Sequence, residues 1–112
     1  MEGGFYAAEE LLKKNPEITA IYTMSDVMAL GACRKLADEK ISVPDQISVI
    51  GFDGIDLGRF FCPRLTTIRQ LIDELVEQGL SLLLDSIENN APAAHKRVPF
   101  EFIEGESVKK IN

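Results

Sequence analysis

The chain alternates between short stretches rich in β-branched residues and longer segments in which apolar residues recur at helical spacing. Residues 18–24 (ITAIYTM) and 47–52 (ISVIGF) are typical of buried strands. Helical spacing occurs in residues 3–14, about 26–39 and 71–88, and further short strands are predicted in residues 65–70 and 98–103. Because helices and strands alternate, the sequence predicts an α/β fold with a mostly parallel sheet flanked by helices.

Length and composition narrow the class of protein. A chain of 112 residues forms one domain, and its apolar runs are too short to span a membrane. Cys33 and Cys62 lack metal-ligand spacing, so both are predicted to be free thiols in a reducing compartment. The N-terminal residues do not have the pattern of a signal peptide, which favours a cytoplasmic location. A net charge of −6 predicts poor binding to a nucleic-acid backbone.

Two carboxylates follow the strand ISVIGF. Ligands of parallel α/β sheets bind beyond the carboxyl ends of the strands, so Asp53 is predicted to lie in a ligand cleft. Its two oxygens can accept hydrogen bonds from neighbouring hydroxyl groups of a sugar or from ring N–H groups of a base. Ser25 and Asp26 stand at the equivalent end of the preceding strand and can share that cleft.

Each of these residues also has a plainer interpretation. Ser25 is a preferred helix N-cap residue, and Asp26 complements the dipole at a helix start or caps it. Asp53 stands beside Gly54, and the Asp-Gly pair favours turns. Both interpretations of each residue stay open on the sequence alone.

An enzymatic site is the first rival hypothesis. Asp53 and Asp56 together offer carboxylate oxygens, which hard divalent cations prefer. The sequence contains no P-loop, GxGxxG, GxSxG or HExxH motif, and its single histidine, His95, stands in a polar loop. We therefore predict no catalytic residue, no metal site and no cofactor.

Three segments in order carry a resemblance to a known family. Residues 25–36 (SDVMALGACRKL), 43–56 (VPDQISVIGFDGID) and 63–70 (PRLTTIRQ) resemble successive signature segments of the LacI/GalR family of bacterial transcription regulators. The resemblance implies a two-lobed, periplasmic-binding-protein-like fold, in which residues 1–112 form the C-terminal part of the effector-binding domain. It also implies that the helix-turn-helix DNA-binding domain and most of the N-terminal lobe are absent from this chain.

The family pattern implies roles for individual residues. Asp53 matches the aspartate that commonly contacts the effector, and Ser25 opens the segment that tends to face the cleft. Gln70 ends the third segment and Ile72 follows it, where the chain crosses between the lobes, so both are further candidates for ligand binding. Gly105 is a departure, because the family often has an arginine at about this place.

Apolar residues on two helices predict that copies of the chain associate. The helix from Val27 is apolar on more of its surface than one sheet can cover. In the resembled family this helix and residues 59–62 help to form a twofold interface, which makes Leu30, Phe60 and Phe61 candidates. The alternative is that Phe60 and Phe61 simply cover the edge of the sheet, and for either residue alone this explanation is equally good.

The helix at residues 71–88 adds Leu75, Leu80 and Leu83, whose usual cover is the missing lobe. A lone monomer rarely tolerates an exposed apolar area of this kind. We therefore predict a homodimer, or an oligomer formed by exchange of a strand or a helix.

These patterns together predict the effector-sensing and dimerisation portion of a LacI/GalR-type regulator. A small polar effector such as a sugar would bind in the cleft between the lobes, and operator DNA would be contacted only through the absent N-terminal domain. Two other hypotheses stay open. One is a fragment of a transport-type periplasmic sugar-binding protein, and the other is a purely structural association module.

Overall fold

The computed structural model describes residues 1–111, and its helices and strands alternate along the chain. The helices are α1 (Glu2–Lys14), α2 (Asp26–Asp38) and α3 (Ile72–Glu88), with a short 3₁₀ helix at Asp56–Phe60. The strands are β1 (Ala20–Tyr22), β2 (Ser48–Ile50), β3 (Thr67–Gln70) and β4 (Phe100–Ile103). The predicted α/β order is confirmed. The first two strands are shorter than predicted, although single backbone hydrogen bonds continue beyond them, from Thr23 to Ile50 and from Gly51 to Thr66.

The strands at the centre of the fold run parallel. β1 pairs with β2 in the register Ala20 to Ser48, Ile21 to Val49 and Tyr22 to Ile50. Two single parallel bridges, Ile50 to Thr66 and Asp53 to Arg69, place β3 on the other side of β2. The carboxyl ends of β1, β2 and β3 therefore lie at one edge, which is where ligands of such sheets bind.

The chain divides into two compact units. The first comprises residues 1–69 together with the segment from Phe102 onward, and the second is Gln70–Glu101. The core of the first unit consists of seven buried apolar side chains: Ile21, Ala29, Leu30, Leu36, Ile47, Val49 and Leu65. It joins α2 to the parallel strands, as expected for a helix that covers one face of a sheet.

Glycines allow α1 to pack closely against α2. A Cβ atom on Gly4 would lie 2.1 Å from the Met28 carbonyl oxygen, and one on Gly31 would lie 2.0 Å from the Met1 carbonyl oxygen. Leu30, beside Gly31, belongs to the core, with 1% of its surface exposed. Its part in an interface with a second copy stays a prediction.

The C-terminal segment is inserted beside β2. Ser107 is fully buried; its Oγ donates to the Val49 carbonyl at 2.6 Å and accepts from the Thr66 amide at 2.8 Å. The Val49 amide donates in turn to the Ser107 carbonyl at 2.8 Å. Gly105 stands where the chain comes closest, since a Cβ atom there would lie 2.5 Å from the Arg64 carbonyl oxygen. This approach explains a glycine at a position where the family pattern led us to expect an arginine.

The second unit consists mainly of α3, none of whose described residues is buried. Leu75, Leu80 and Leu83 are 39%, 54% and 57% exposed, as the sequence predicts for a helix that lacks its cover. Lys96 Nζ donates to Gln78 Oε1 at 3.0 Å and ties the following loop to the helix. None of the helices within residues 1–111 has the length and apolar character needed to cross a membrane.

Candidate functional site

Asp53 lies at the carboxyl end of β2, at the edge of the sheet where the sequence predicts a ligand. Its amide donates to the Ile68 carbonyl at 2.8 Å, and it pairs with Arg69 in a parallel bridge. Its φ angle is 119°, and Gly54 follows with a φ of 76°. Positive φ is uncommon outside glycine and is retained where the surrounding structure enforces it. The loop at Asp53 therefore turns sharply and holds the half-buried aspartate in an unusual backbone conformation.

Ser25 lies at the end of β1 and begins α2. Its Oγ accepts a hydrogen bond from the Met28 amide at 3.2 Å, so the N-cap interpretation is confirmed. The hydroxyl hydrogen is not used in that bond, and the side chain is half-buried rather than enclosed. Because β1 and β2 are adjacent and parallel, Ser25 and Asp53 follow neighbouring strands at the same edge.

Asp26 has a structural role at this edge that the sequence did not predict. It is fully buried, and its Oδ2 accepts from the Ile55 amide at 2.8 Å. Its Oδ1 accepts from the Thr67 hydroxyl, and its amide donates to the Phe52 carbonyl at 2.7 Å. Asp26 stands in the first turn of α2, as predicted, but its carboxylate also connects that helix to β3 and to the loop after β2.

Asp56, in the loop after β2, and Arg69, on β3, add charge beside Asp53. Arg69 Nη2 lies 3.9 Å from Asp56 Oδ1, and the Asp56 side chain is 83% exposed. A pair this long and exposed contributes little to stability. Within residues 1–111, no group of three or more His, Cys, Asp or Glu side chains is arranged to hold a metal ion.

Gln70 and Ile72 belong to the second unit. Gln70 is the last residue of β3, and Ile72 is the first of α3, with 56% of its surface exposed. Their part in ligand binding stays a prediction.

A second surface feature is an apolar groove of about 470 Å³, bordered by the first turn of α1, by α2 and by residues 61–62. Leu30 and Phe61 both line it, and Phe61 also packs against the core. Phe60, next to it, is 78% exposed. Of the three predicted interface residues, Phe60 is thus exposed, Phe61 is half-buried and Leu30 is buried.

Both cysteines line this groove, and both are free thiols, as predicted. Burial raises the pKa of Cys33 to about 11, which keeps it protonated at neutral pH. Near the end of α2, a hydrogen bond from Lys35 to Glu39 raises the pKa of the lysine and lowers that of the carboxyl. These shifted groups lie on α2 or at its end, away from Asp53.

Comparison with known proteins identifies the fold. The sequence profile described as the periplasmic binding protein-like domain matches residues 2–108 of the chain. The chain belongs to this family. As a periplasmic binding protein-like domain it has the α/β architecture and the parallel strands that the sequence predicts, so the predicted fold class is confirmed.

Several relatives of this periplasmic binding protein-like domain are transcription regulators. The chain is 38% identical over 102 residues to the HTH-type transcriptional regulator MalR of Clostridium butyricum, covering 91% of this chain and 30% of that protein. It thus spans less than a third of the relative's length. The resemblance to the LacI/GalR family is confirmed, and the relatives are regulators rather than enzymes.

Solved structures similar to this domain include two LacI-family regulators. One, from Enterococcus faecium with bound ribose, has a TM-score of 0.85 and 34% identity, covering 99% of this chain and 41% of that one. The other is the lac repressor dimer bound to operator and the anti-inducer ONPF, with a TM-score of 0.87 and 27% identity, covering 96% of this chain and 37% of that one.

Proposed function

We propose that this chain is the effector-sensing and dimerisation portion of a LacI/GalR-type transcription regulator. It would bind a small polar ligand, such as a sugar, at the carboxyl edge of its parallel strands. The observation that carries the proposal is the position of Asp53 and Ser25 after two adjacent parallel strands of a periplasmic binding protein-like domain.

The chemistry of this edge suits a polyhydroxylated ligand. The Asp53 carboxylate can accept two hydrogen bonds from adjacent hydroxyl groups, and the Ser25 hydroxyl can donate one while its oxygen caps α2. Gln70 and Ile72 would contribute an amide and an apolar surface where the chain crosses between the lobes. The ribose bound by the Enterococcus faecium relative supports a sugar as the class of ligand.

The regulatory mechanism follows from linkage. A ligand held between two lobes favours one arrangement of the lobes by its difference in affinity for the two arrangements. In the intact cytoplasmic regulator this bias would reach operator DNA through an N-terminal helix-turn-helix domain outside these 112 residues. The acidic charge of −6 agrees with DNA being contacted by another part of the protein.

A second copy of the chain is the proposed partner at the apolar groove. Phe60 and Phe61 would contact it beside Leu30, which lines the groove. The apolar face of α3 would be covered by the N-terminal lobe in the intact regulator. In the chain alone, that face would promote association, by dimerisation or by exchange of a strand or helix.

The test is an Asp53→Ala substitution in the full-length regulator. We expect the effector concentration for half-maximal response to rise about tenfold or more, as for the loss of a hydrogen bond to a charged group. Operator affinity without effector should not change. The matched control is Asp45→Ala, which removes an exposed carboxylate from the turn before β2. An unchanged dose response in Asp53→Ala would remove this residue from the site.

The coding sequence upstream of Met1 separates the regulator from the alternative, a transport-type periplasmic sugar-binding protein. A helix-turn-helix region there supports the regulator, whereas an export signal supports the transport protein. If titration with a panel of sugars gives neither heat nor stabilisation in the full-length protein, a structural association module becomes the better explanation.

A further inference from the structure

The Asp26 carboxylate is buried without a cationic partner. No surface of the residue is exposed, and none of the ion pairs within residues 1–111 includes it. A buried carboxylate needs compensation by hydrogen bonds or by other dipoles. Here the Ile55 amide, the Thr67 hydroxyl and the N-terminal dipole of α2 supply it.

The absence of a side chain at Gly51 leaves space for this carboxylate. A Cβ atom on Gly51 would lie 2.3 Å from Asp26 Oδ1, so a side chain at position 51 would occupy the place of the carboxylate oxygen. Gly51 is itself buried, directly after β2, and its amide donates to the Thr66 carbonyl. The close contact is therefore a feature of the sheet edge and not of a surface loop.

The bonds of Asp26 lie on both sides of Asp53. Its amide donates to the carbonyl of Phe52, which precedes Asp53, and its Oδ2 accepts from Ile55, which follows Gly54. The bond from Thr67 adds β3, two residues before Arg69, which pairs with Asp53. The carboxylate of Asp26 thus connects the loop after Asp53 to β3, and its backbone amide bonds the residue before Asp53.

We propose that Asp26 is a positioning residue of the ligand site, which holds the loop at residues 53–56 so that Asp53 keeps its positive φ and faces the ligand. The proposal rests on the proposed function, because it assigns to Asp53 the contact with the ligand. Asp26 itself acts through Asp53 and touches no ligand, since it is fully buried. A conformation with positive φ persists only where neighbouring contacts enforce it, and Asp26 supplies those contacts.

The experiment compares Asp26→Ala, Asp26→Asn and the wild-type 112-residue chain by NMR. Asp26→Ala removes the bonds to Ile55 and Thr67. We expect hydrogen exchange of the Ile55 amide to become about tenfold faster and the H(N)–Hα coupling of Asp53 to change as its φ relaxes. Asp26→Asn should restore wild-type values to within about threefold, because its amide oxygen accepts from Ile55 and its amide nitrogen can donate to the hydroxyl of Thr67.

The Val49 amide distinguishes positioning from general stabilisation. It donates to the Ser107 carbonyl in the core of the first unit and makes no bond to Asp26, Ile55 or Thr67. We expect its exchange to stay within about twofold of the wild type in all variants. Equal acceleration of Val49 and Ile55 would show a general structural role and overturn the proposal, as would an unchanged Asp53 coupling in Asp26→Ala.

Thr67→Val keeps the test decisive if Asp26→Ala does not fold. It removes the hydroxyl that donates to Asp26 Oδ1 and preserves the shape of the side chain. We expect the Asp53 coupling to move in the same direction as in Asp26→Ala, and Thr67→Ser to restore it. No change in Thr67→Val would contradict the proposal.

The full-length regulator separates this proposal from the proposed function. If Asp53→Ala weakens the effector response and Asp26→Ala does not, the positioning role is wrong while the ligand role of Asp53 stands. If Asp53→Ala has no effect, the proposed ligand site is wrong, and the NMR results still decide whether Asp26 holds the loop. We expect both substitutions to raise the effector concentration for half-maximal response, with the maximal response unchanged.

Discussion

Asp53 pairs with Arg69 across two parallel segments, and its amide donates to the carbonyl of Ile68 at 2.8 Å. This pairing fixes an acidic residue with a φ of 119° at the carboxyl edge of the sheet. An aspartate in a loop that only reverses the chain needs no such pairing. The position of Asp53 is therefore a property of the sheet as well as of the local turn.

The positive φ of Asp53 predicts an order of stability among substitutions at this position. Glycine adopts this backbone conformation without steric cost, whereas alanine does not. We expect Asp53→Gly to have a free energy of unfolding about 1 kcal/mol higher than that of Asp53→Ala. Urea denaturation of the two variants measures this difference. If alanine proves equal to glycine, the strain assigned to Asp53 is absent.

Ser107→Ala should destabilise the first unit. The substitution leaves the buried Thr66 amide without its acceptor and removes the donor to the Val49 carbonyl. We expect the free energy of unfolding to fall by roughly 1–3 kcal/mol. Ser86→Ala, on the exposed surface of α3, is the matched control and should change it by less than about 0.5 kcal/mol. Equal effects of the two substitutions would contradict the role assigned to Ser107.

The two cysteines should differ strongly in reactivity. The thiolate is the reactive form, and burial raises the pKa of Cys33 to about 11, whereas Cys62 is exposed. We expect an aromatic disulfide reagent at pH 8 to modify Cys62 at least about a hundredfold faster than Cys33. Mass spectrometry of timed samples measures both rates, with Cys62→Ser isolating the reaction of Cys33. Comparable rates at the two sites would show that Cys33 is not protected by burial.

Phe60→Lys should weaken self-association while preserving the fold. The ring is 78% exposed beside the apolar groove, so a lysine there costs the monomer little but would place a charge in the proposed interface. We expect the dissociation constant of the dimer, measured by sedimentation, to rise at least about tenfold. Ile111→Lys, also on an exposed apolar residue, should leave it unchanged. The reverse result would move the interface away from the groove.

The pair of Lys35 and Glu39 predicts a small pH effect on stability. The lysine lowers the pKa of Glu39 below its ordinary value of 4.5, so this contribution is present above pH 4.5 and is lost as the pH falls through the folded-state pKa. Glu39→Gln should therefore weaken the pH dependence of unfolding below pH 4.5. Glu17→Gln, an exposed carboxyl, is the control. Identical pH profiles for wild type and Glu39→Gln would show that the pair contributes nothing.

The burial of apolar helix positions is part of what the sequence could not predict. Helical spacing identified Leu30 and Leu75 equally well as apolar positions of helices. In the structure Leu30 is 1% exposed as part of the core between α2 and the parallel strands, whereas Leu75 is 39% exposed on α3, where no described residue is buried. Spacing reports which face of a helix is apolar, but only packing decides whether the chain itself covers that face.

The sequence by itself determined the order of helices and strands and the acidic residue after β2, because periodicity, caps and turn residues act over a few neighbouring positions. Only the tertiary structure decided that Asp26 is a buried connector while Asp53 stands at the edge. The partners of the Asp26 carboxylate lie 29 and 41 positions away in the chain. Contacts over such distances depend on which strands become neighbours, and no local pattern of residues specifies that.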